Sequence, residues 1–421
     1  MFFRLCLIFC FYLPFQLALN PSSGIDLASG RVFILLLFFV WLLEGLKNRK
    51  LLIGNSLANF FAVCFLAVNL FSLAVAKNTD WSARKLLFLF SVFPLYFVFS
   101  TLADTKEKLE RVMKTLVVSG FVVATMALVQ FFFQFIFGLN RVYLFWAAFI
   151  SPVFLGHNVT AAVLKNPSWL VNISGTTYLR AVATFPDPHM LAFFLGMLLP
   201  LALGLYLKSK RMIYLVAFFV MFLADLLTFS RGGYLGLFAG FLLAIGFLWN
   251  RLGKSARTGF GVVFLAGAIL LFVPGPISER FVSIFNFKEG SNMGRIETWK
   301  KAGKIIGEHP FFGVGIGNYA LEIDPKADYR DPIYAHSLYL DVTAETGLIG
   351  LLAWLGFLAA LSVGFLKKAS RETYFFWLFL SLVVFSAHAL VETPLYSPII
   401  LPLFLIIASL GVVKITDEKN N

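Results

Sequence analysis

Apolar stretches long enough to cross a lipid bilayer recur along almost the whole of this chain. They occupy about 2–19, 30–46, 53–75, 86–102, 112–137, 189–207, 212–229, 233–250, 258–274, 347–366, 374–391 and 397–413. A helix needs roughly 20 residues to cross the hydrocarbon core, and inside lipid only a helix or a closed barrel satisfies every backbone N–H and C=O. The pattern therefore predicts an all-α integral membrane protein with about 12 transmembrane helices. The segment 143–155 is apolar but short and ends in Ser151-Pro152, so it reads as interfacial or re-entrant.

Composition agrees: 59% of residues are hydrophobic and 14% charged, against about a quarter charged in a soluble domain. The net charge of +13 could suggest nucleic acid as a partner. Its distribution excludes that reading, because the cations cluster in short loops: KNRK (47–50), the group at 106–114, KSKR (208–211), RLGKSAR (251–257) and KKASR (367–371). Such clusters mark cytoplasmic loops and place both termini in the cytoplasm. Lys77, Arg84 and Lys85 fall on the other side, where Arg84 and Lys85 read as snorkelling from a helix end. The start, with Arg4 before an apolar core and no small-residue cleavage site, reads as an uncleaved first span. Cys6, Cys10 and Cys64 match no metal-site spacing and read as packing residues. The organisation expected is helices 1–5 over 1–137, a segment outside the membrane at 138–188, helices 6–9 over 189–274, a large outer loop at 275–346, and helices 10–12 with a cytoplasmic tail over 347–421.

Ionisable side chains are costly in lipid, and here the unusual ones gather at one level, the outer ends of the spans. Arg180 and His189 flank Pro186 and Pro188 before the sixth span. Arg231 stands in SRGG between the seventh and eighth, with Asp225 two turns earlier as its expected partner and Gly232-Gly233 as the expected reversal. His388 and Glu392 close the eleventh span. Each arginine has a plain reading, as a loop residue or a snorkelling interfacial one, and a chemical one, as a planar donor fork for phosphate.

Two loop stretches remain. HPFFGVGIGNY (309–319) lacks the Gly-Lys-Ser/Thr of a P-loop and the dinucleotide fingerprint, and reads as a tight backbone turn. NMGRIETWKKAGKIIG (292–307) reads as an amphipathic helix, either flat on the leaflet or packed over the bundle. In YAHSLYLDVTAETGLIG (334–350), Ser337 is a candidate N-cap for a short helix, with Gly347 and Gly350 allowing a bend into the tenth span. Asp341 and Glu345 are four apart and share a face. His336 lies nine residues before Glu345, about 180° round a helix. The acids therefore read as braces, Glu345 toward backbone amides or an arginine, while His336 is free to accept a proton near neutral pH or simply to pack.

The ordered set of SRGG, Arg295 with Trp299, HPFFGVGIGNY and AHSLYLDVTAETGLIG, over about 185–365, resembles the shared domain of O-antigen ligases and O-antigen polymerases. Upstream, Arg180 in LRAVATFPDPHMLA resembles the family's arginine before its middle helices. The first five spans resemble the family in hydropathy only. The resemblance implies a GT-C-like glycosyltransferase of the bacterial inner membrane, with a periplasmic active site. Its donor would be a glycan on undecaprenyl diphosphate and its acceptor lipid A–core oligosaccharide, and no cofactor or metal is expected. Arg180 and Arg231 would hold the diphosphate and His336 would act at the acceptor hydroxyl, supported by Glu345, Asp341, Arg295 and His189. Ser337 stands where many members carry Asn, and no extra carboxy-terminal domain follows. A polymerase with the same donor is the nearest alternative. A lipid-linked sugar transporter, which would place polar residues near mid-membrane in repeated halves, is the other.

Overall fold

A computed structural model describes residues 1–22, 25–48, 54–165, 168–173, 175–248, 275–283, 290–329 and 333–413. It is a helical bundle. The first half holds α1 (Phe2–Tyr12), α2 (Ser29–Lys47), α3 (Leu57–Phe71), α4 (Thr79–Val92), α5 (Pro94–Leu102) and α6 (Lys106–Phe137). Short helices α7 (Leu139–Phe145), α8 (Ser151–Leu155) and α9 (His157–Lys165) follow. The second half holds α10 (Pro188–Ser209), α11 (Met212–Leu226) and α12 (Arg231–Leu248). After these come α13 (Pro276–Val282), α14 (Gly290–Glu308), α15 (Tyr319–Ile323), α16 (Leu338–Ala369), α17 (Tyr374–His388) and α18 (Ile400–Val412). Antiparallel hairpins β1 (Ala18–Ser22)–β2 (Ile25–Ala28) and β3 (Leu170–Ile173)–β4 (Thr176–Leu179) lie in the connections.

Among the described residues six helical segments are long and apolar enough to cross a membrane, and shorter apolar helices include α1, α11, α12, α17 and α18. The expected span at 258–274 lies outside the described residues; each of the other expected spans coincides with a helix. The first is shorter than expected, because α1 stops at Tyr12 and Pro14 leads into the β1–β2 hairpin. The 143–155 segment is broken, with a π-helical turn at Trp146–Ile150 before α8.

Local chemistry sets the helix ends. The side chains of Ser56, Asn78, Thr105 and Asp187 each accept a hydrogen bond from a first-turn N–H, satisfying donors that the helix itself cannot. Pro188 follows its cap at the first helical position, where a missing N–H costs nothing. The central helix is α10, buried along most of its length between α6, α11, α12 and α17. By contrast α2 turns Leu36, Phe39 and Leu43 outward, the face a lipid-exposed helix presents.

The described parts of 138–188 and 275–346 meet where α13 packs against β3 and α12, here the loop end. There α14 is packed over the bundle rather than standing apart: Ala302 and Ile305 bury against Val314, Tyr319, Ala335 and Ala344. The 309–319 stretch is a set of tight backbone turns, with Gly313, Gly315 and Gly317 all at positive φ. Val314 and Gly315 donate their N–H groups to the carbonyls of Ala344 and Glu345. This contact needs the bend in α16, where Gly347 takes φ +69°. A Cβ there would stand 2.0 Å from the Phe311 carbonyl oxygen, so only glycine fits.

Candidate active site

The site is built around the turn at 227–230, which joins α11 to α12. Phe229 makes that turn at φ +50°. Gly232 and Gly233 do not make it, contrary to the sequence reading; they lie inside α12, where His388 and Ala192 pack against them. Arg180, only 3% exposed, reaches this turn from the extended segment after β4. Its Nε donates to the Thr228 carbonyl at 2.6 Å and its Nη1 to the Ser168 carbonyl at 2.9 Å. Its Nη2 is buried and has no partner among the described residues. Burial and the neighbouring Arg280 lower its pKa to about 9, against the pull of Asp187, Tyr234 and Glu392. That leaves a protonated guanidinium short of compensating negative charge.

Arg231 opens α12. Its Nε and Nη2 donate to the Ser283 hydroxyl at 3.1 and 2.8 Å, and Ser283 in turn donates to the Arg280 carbonyl. Arg280, on α13, directs its Nε to the Phe229 carbonyl at 3.3 Å. Three arginines thus surround one four-residue turn. The sequence reading does not single out Arg280, which stands in ISERF (277–281) with no motif around it. The expected Asp225–Arg231 pair is not formed. Asp225 is fully buried and neither carboxylate oxygen has a hydrogen bond among the described residues. The reason is geometric: Asp225 ends α11 and Arg231 begins the next helix after a reversal, so helical spacing does not relate them.

His336 lies on a different element, at the entrance to α16, and has φ +51°. A non-glycine residue in this region is strained and must be held by its surroundings. Its Nδ1 is 3.0 Å from Glu392 Oε1, and Arg295 Nη2 is 3.6 Å from Glu392 Oε2. The Glu392 hydrogen bond raises the His336 pKa, outweighing burial and the Arg295 charge. Burial works against ionisation of Glu392, but His189, the His336 hydrogen bond and Arg295 outweigh it and hold the carboxyl well below its usual range. His336 Nε2 has no hydrogen bond among the described residues, and 48% of the side chain is exposed. An imidazole tied at one nitrogen to a carboxylate presents the other as a proton acceptor.

Of the two acids expected as braces, Asp341 binds the chain beside His336 and Glu345 takes partners other than those expected. Asp341 accepts the Ala335 N–H at 2.8 Å and the Thr393 hydroxyl, fixing the residues before His336 and after Glu392. Glu345 binds Lys85 at 2.6 Å and Tyr396 at 3.1 Å, not a backbone amide or an arginine. Lys85 therefore does not snorkel; it is 12% exposed and lies over the Tyr396 ring. Arg84 stands over the Tyr329 ring. His189 joins the two parts of the site: its Nδ1 is 2.9 Å from the Ser230 hydroxyl, which lies 3.4 Å from His388 Nε2. Glu392 lies four residues beyond His388, the last residue of α17, and its charge is felt at both Arg180 and His189. Glu392 was seen in the sequence only as a polar span end; its partner lies 56 residues away, a relation no local spacing shows.

An open cavity of about 480 Å³ lies elsewhere at the loop end, lined by Lys77, His309, Phe311, Phe312 and Glu322 among others, and holds none of these residues. Among the described residues no three His, Cys, Asp or Glu side chains are gathered to hold a metal ion. Cys6 and Cys10 are buried packing residues.

Residues 216–355 match the family model described as O-antigen ligase. The matched stretch begins in α11, passes through the 227–230 turn, Arg280, Arg295 and His336, and ends in α16. No curated protein matches the chain at a significant level. The chain is a multi-pass helical membrane protein whose residues 216–355 are similar to the O-antigen ligase family.

Proposed function

We propose that this protein is an O-antigen ligase, which transfers a glycan from undecaprenyl diphosphate to lipid A–core oligosaccharide at the periplasmic face of the bacterial inner membrane. The observation that carries this reading is the buried Arg180 Nη2 without a partner, beside Arg280 and next to the turn that opens on Arg231. A buried donor left unmade is costly, and a ligand phosphate oxygen would satisfy it. Guanidinium forks suit phosphate geometry.

In the reaction the acceptor hydroxyl oxygen attacks the anomeric carbon of the donor sugar. The carbon–oxygen bond to the diphosphate breaks as the new glycosidic bond forms, so the configuration inverts. The hydroxyl proton passes to His336 Nε2, made more basic by Glu392. The leaving diphosphate takes the electron pair and develops negative charge, which fixed arginines stabilise best in a site that excludes water. A lipid donor suits a site at the ends of membrane helices, because its diphosphate lies at headgroup level while its tail stays in lipid.

The test is incubation of the purified protein with lipid-linked donor, either alone or with lipid A–core. Glycan joined to the core supports the ligase. A longer lipid-linked glycan from donor alone overturns it in favour of a polymerase.

A further inference from the structure

We propose that Gln130 and Gln134, buried amides one turn apart on α6, are positioning residues for Arg180, fixing its guanidinium by binding the backbone on both sides of it. The proposal rests on the reading of Arg180 as a diphosphate-binding residue.

Gln130 is fully buried and Gln134 is 6% exposed. In a helix of otherwise apolar character, such amides are unfavourable unless their polar atoms are bonded. Both are, and apart from the Phe131 carbonyl within α6, which also accepts from Gln134 Nε2, their partners lie in one short segment. Gln134 accepts the Leu179 N–H at 2.8 Å and donates to the Leu179 carbonyl at 2.9 Å. Gln130 donates to the Arg180 carbonyl at 3.1 Å and accepts the N–H groups of Val182 and Ala183 at 2.9 and 3.0 Å. The side chains of a helix thus do what a neighbouring strand does for a sheet edge. The other groups of the segment are bonded from different directions: Arg180 N–H to the Trp169 carbonyl, Ala181 N–H to the Leu227 carbonyl, and Trp146 Nε1 to the Ala183 carbonyl.

Such bonding is what holds a strained backbone, and Ala183 stands at φ +49°. It also decides where the Arg180 Cα lies. The side chain spends two of its nitrogens on the Thr228 and Ser168 carbonyls, so Nη2 can be aimed only as well as the backbone is placed. Leucine or methionine at 130 and 134 would serve an apolar helix equally for packing, but would leave five backbone bonds unmade.

A double-mutant cycle separates positioning from general support, because residues acting through one another are not additive. The full-length protein in nanodiscs is titrated with farnesyl diphosphate, a short polyprenyl diphosphate. Gln130→Met is expected to weaken binding on the order of tenfold, and Arg180→Ala by more. The double variant should match Arg180→Ala within about twofold. Gln130→Glu, which keeps the acceptor oxygen for Val182 and Ala183, should fall between wild type and Gln130→Met. Losses that multiply in the double variant, or an unchanged Gln130→Met, overturn the proposal while leaving the role of Arg180 intact. Unchanged binding in Arg180→Ala removes the underlying reading, and the proposal with it. Should Gln130→Met not fold, Gln134→Met, which gives up the Leu179 bonds and one bond to the Phe131 carbonyl within α6, enters the same cycle with the same outcomes.

Discussion

Arg180 is 3% exposed, with its guanidinium anchored on two backbone carbonyls, whereas the His336 side chain is 48% exposed and held through one nitrogen. The arginine side is rigid and closed. It draws on α6, the 168–183 segment, the 227–230 turn and α13. The histidine side is open, and its rigidity comes from behind, through Glu392, Arg295 and the Asp341 clamp. The difference fits two kinds of ligand. A diphosphate is small, of fixed shape and always charged, so prearranged donors gain most in binding it. An acceptor hydroxyl must enter and leave, so the proton acceptor has to be reachable. Backbone strain marks both sides, at Ala183, Phe229 and His336, as it does at sites whose surroundings over-determine them.

Substitutions can break this contrast one side at a time. The largest effect is expected from His336→Ala, which should lower transfer by roughly 10²–10⁴-fold in a kinetic assay under saturating donor. Arg180→Ala should cost about 10²–10³-fold and, unlike the histidine variant, should also weaken binding of the donor. Arg180→Lys should recover little, because a single ammonium cannot reproduce the fork that spans Thr228, Ser168 and the ligand.

Glu392→Gln sharpens the comparison through pH. Glu392 raises the His336 pKa above its ordinary 6.5, and under the proposed mechanism the neutral imidazole is the active form, so transfer should rise as pH increases through that raised value. Removing the carboxylate charge moves this limb to lower pH and leaves a weaker base. The variant should therefore lose about tenfold on the alkaline plateau, and the deficit should shrink toward acid pH. A pH–rate profile whose limb does not move would separate Glu392 from the protonation of His336.

The smallest effect on chemistry, and a large one on stability, is expected at the Lys85–Glu345 pair. Breaking a buried pair from one side costs about 3–5 kcal/mol, so Lys85→Met should lower the thermal midpoint. Lys85→Met with Glu345→Gln should cost less than the two single losses combined. Equal additive losses would show that the pair is not coupled.

Much of this was legible in the sequence, for physical reasons. A spanning helix must be apolar over a fixed length, so nearly every described span is where the runs place it. An arginine or histidine at a span end is costly enough to draw notice, so Arg180, Arg231 and His336 stand out. The bend before the tenth span is visible as Gly347. What stayed hidden depends on chain segments meeting in space. Glu392 reads as an ordinary polar span end until His336 is brought to it. Gln130 and Gln134 carry no charge and disappear into an apolar run. Asp225 suggests a partner by its distance from Arg231, yet a turn lies between them. Lys85 looks like a cation on the wrong side until Glu345, 260 residues later, reaches it.

The central claim is that the arginines bind the donor while His336 acts on the acceptor. It is tested most directly by measuring donor binding and transfer side by side on purified His336→Ala, with lipid-linked donor and lipid A–core. The expected result is donor affinity within about twofold of wild type with transfer abolished or nearly so. Undiminished transfer, or loss of donor binding equal to that of Arg180→Ala, would contradict it.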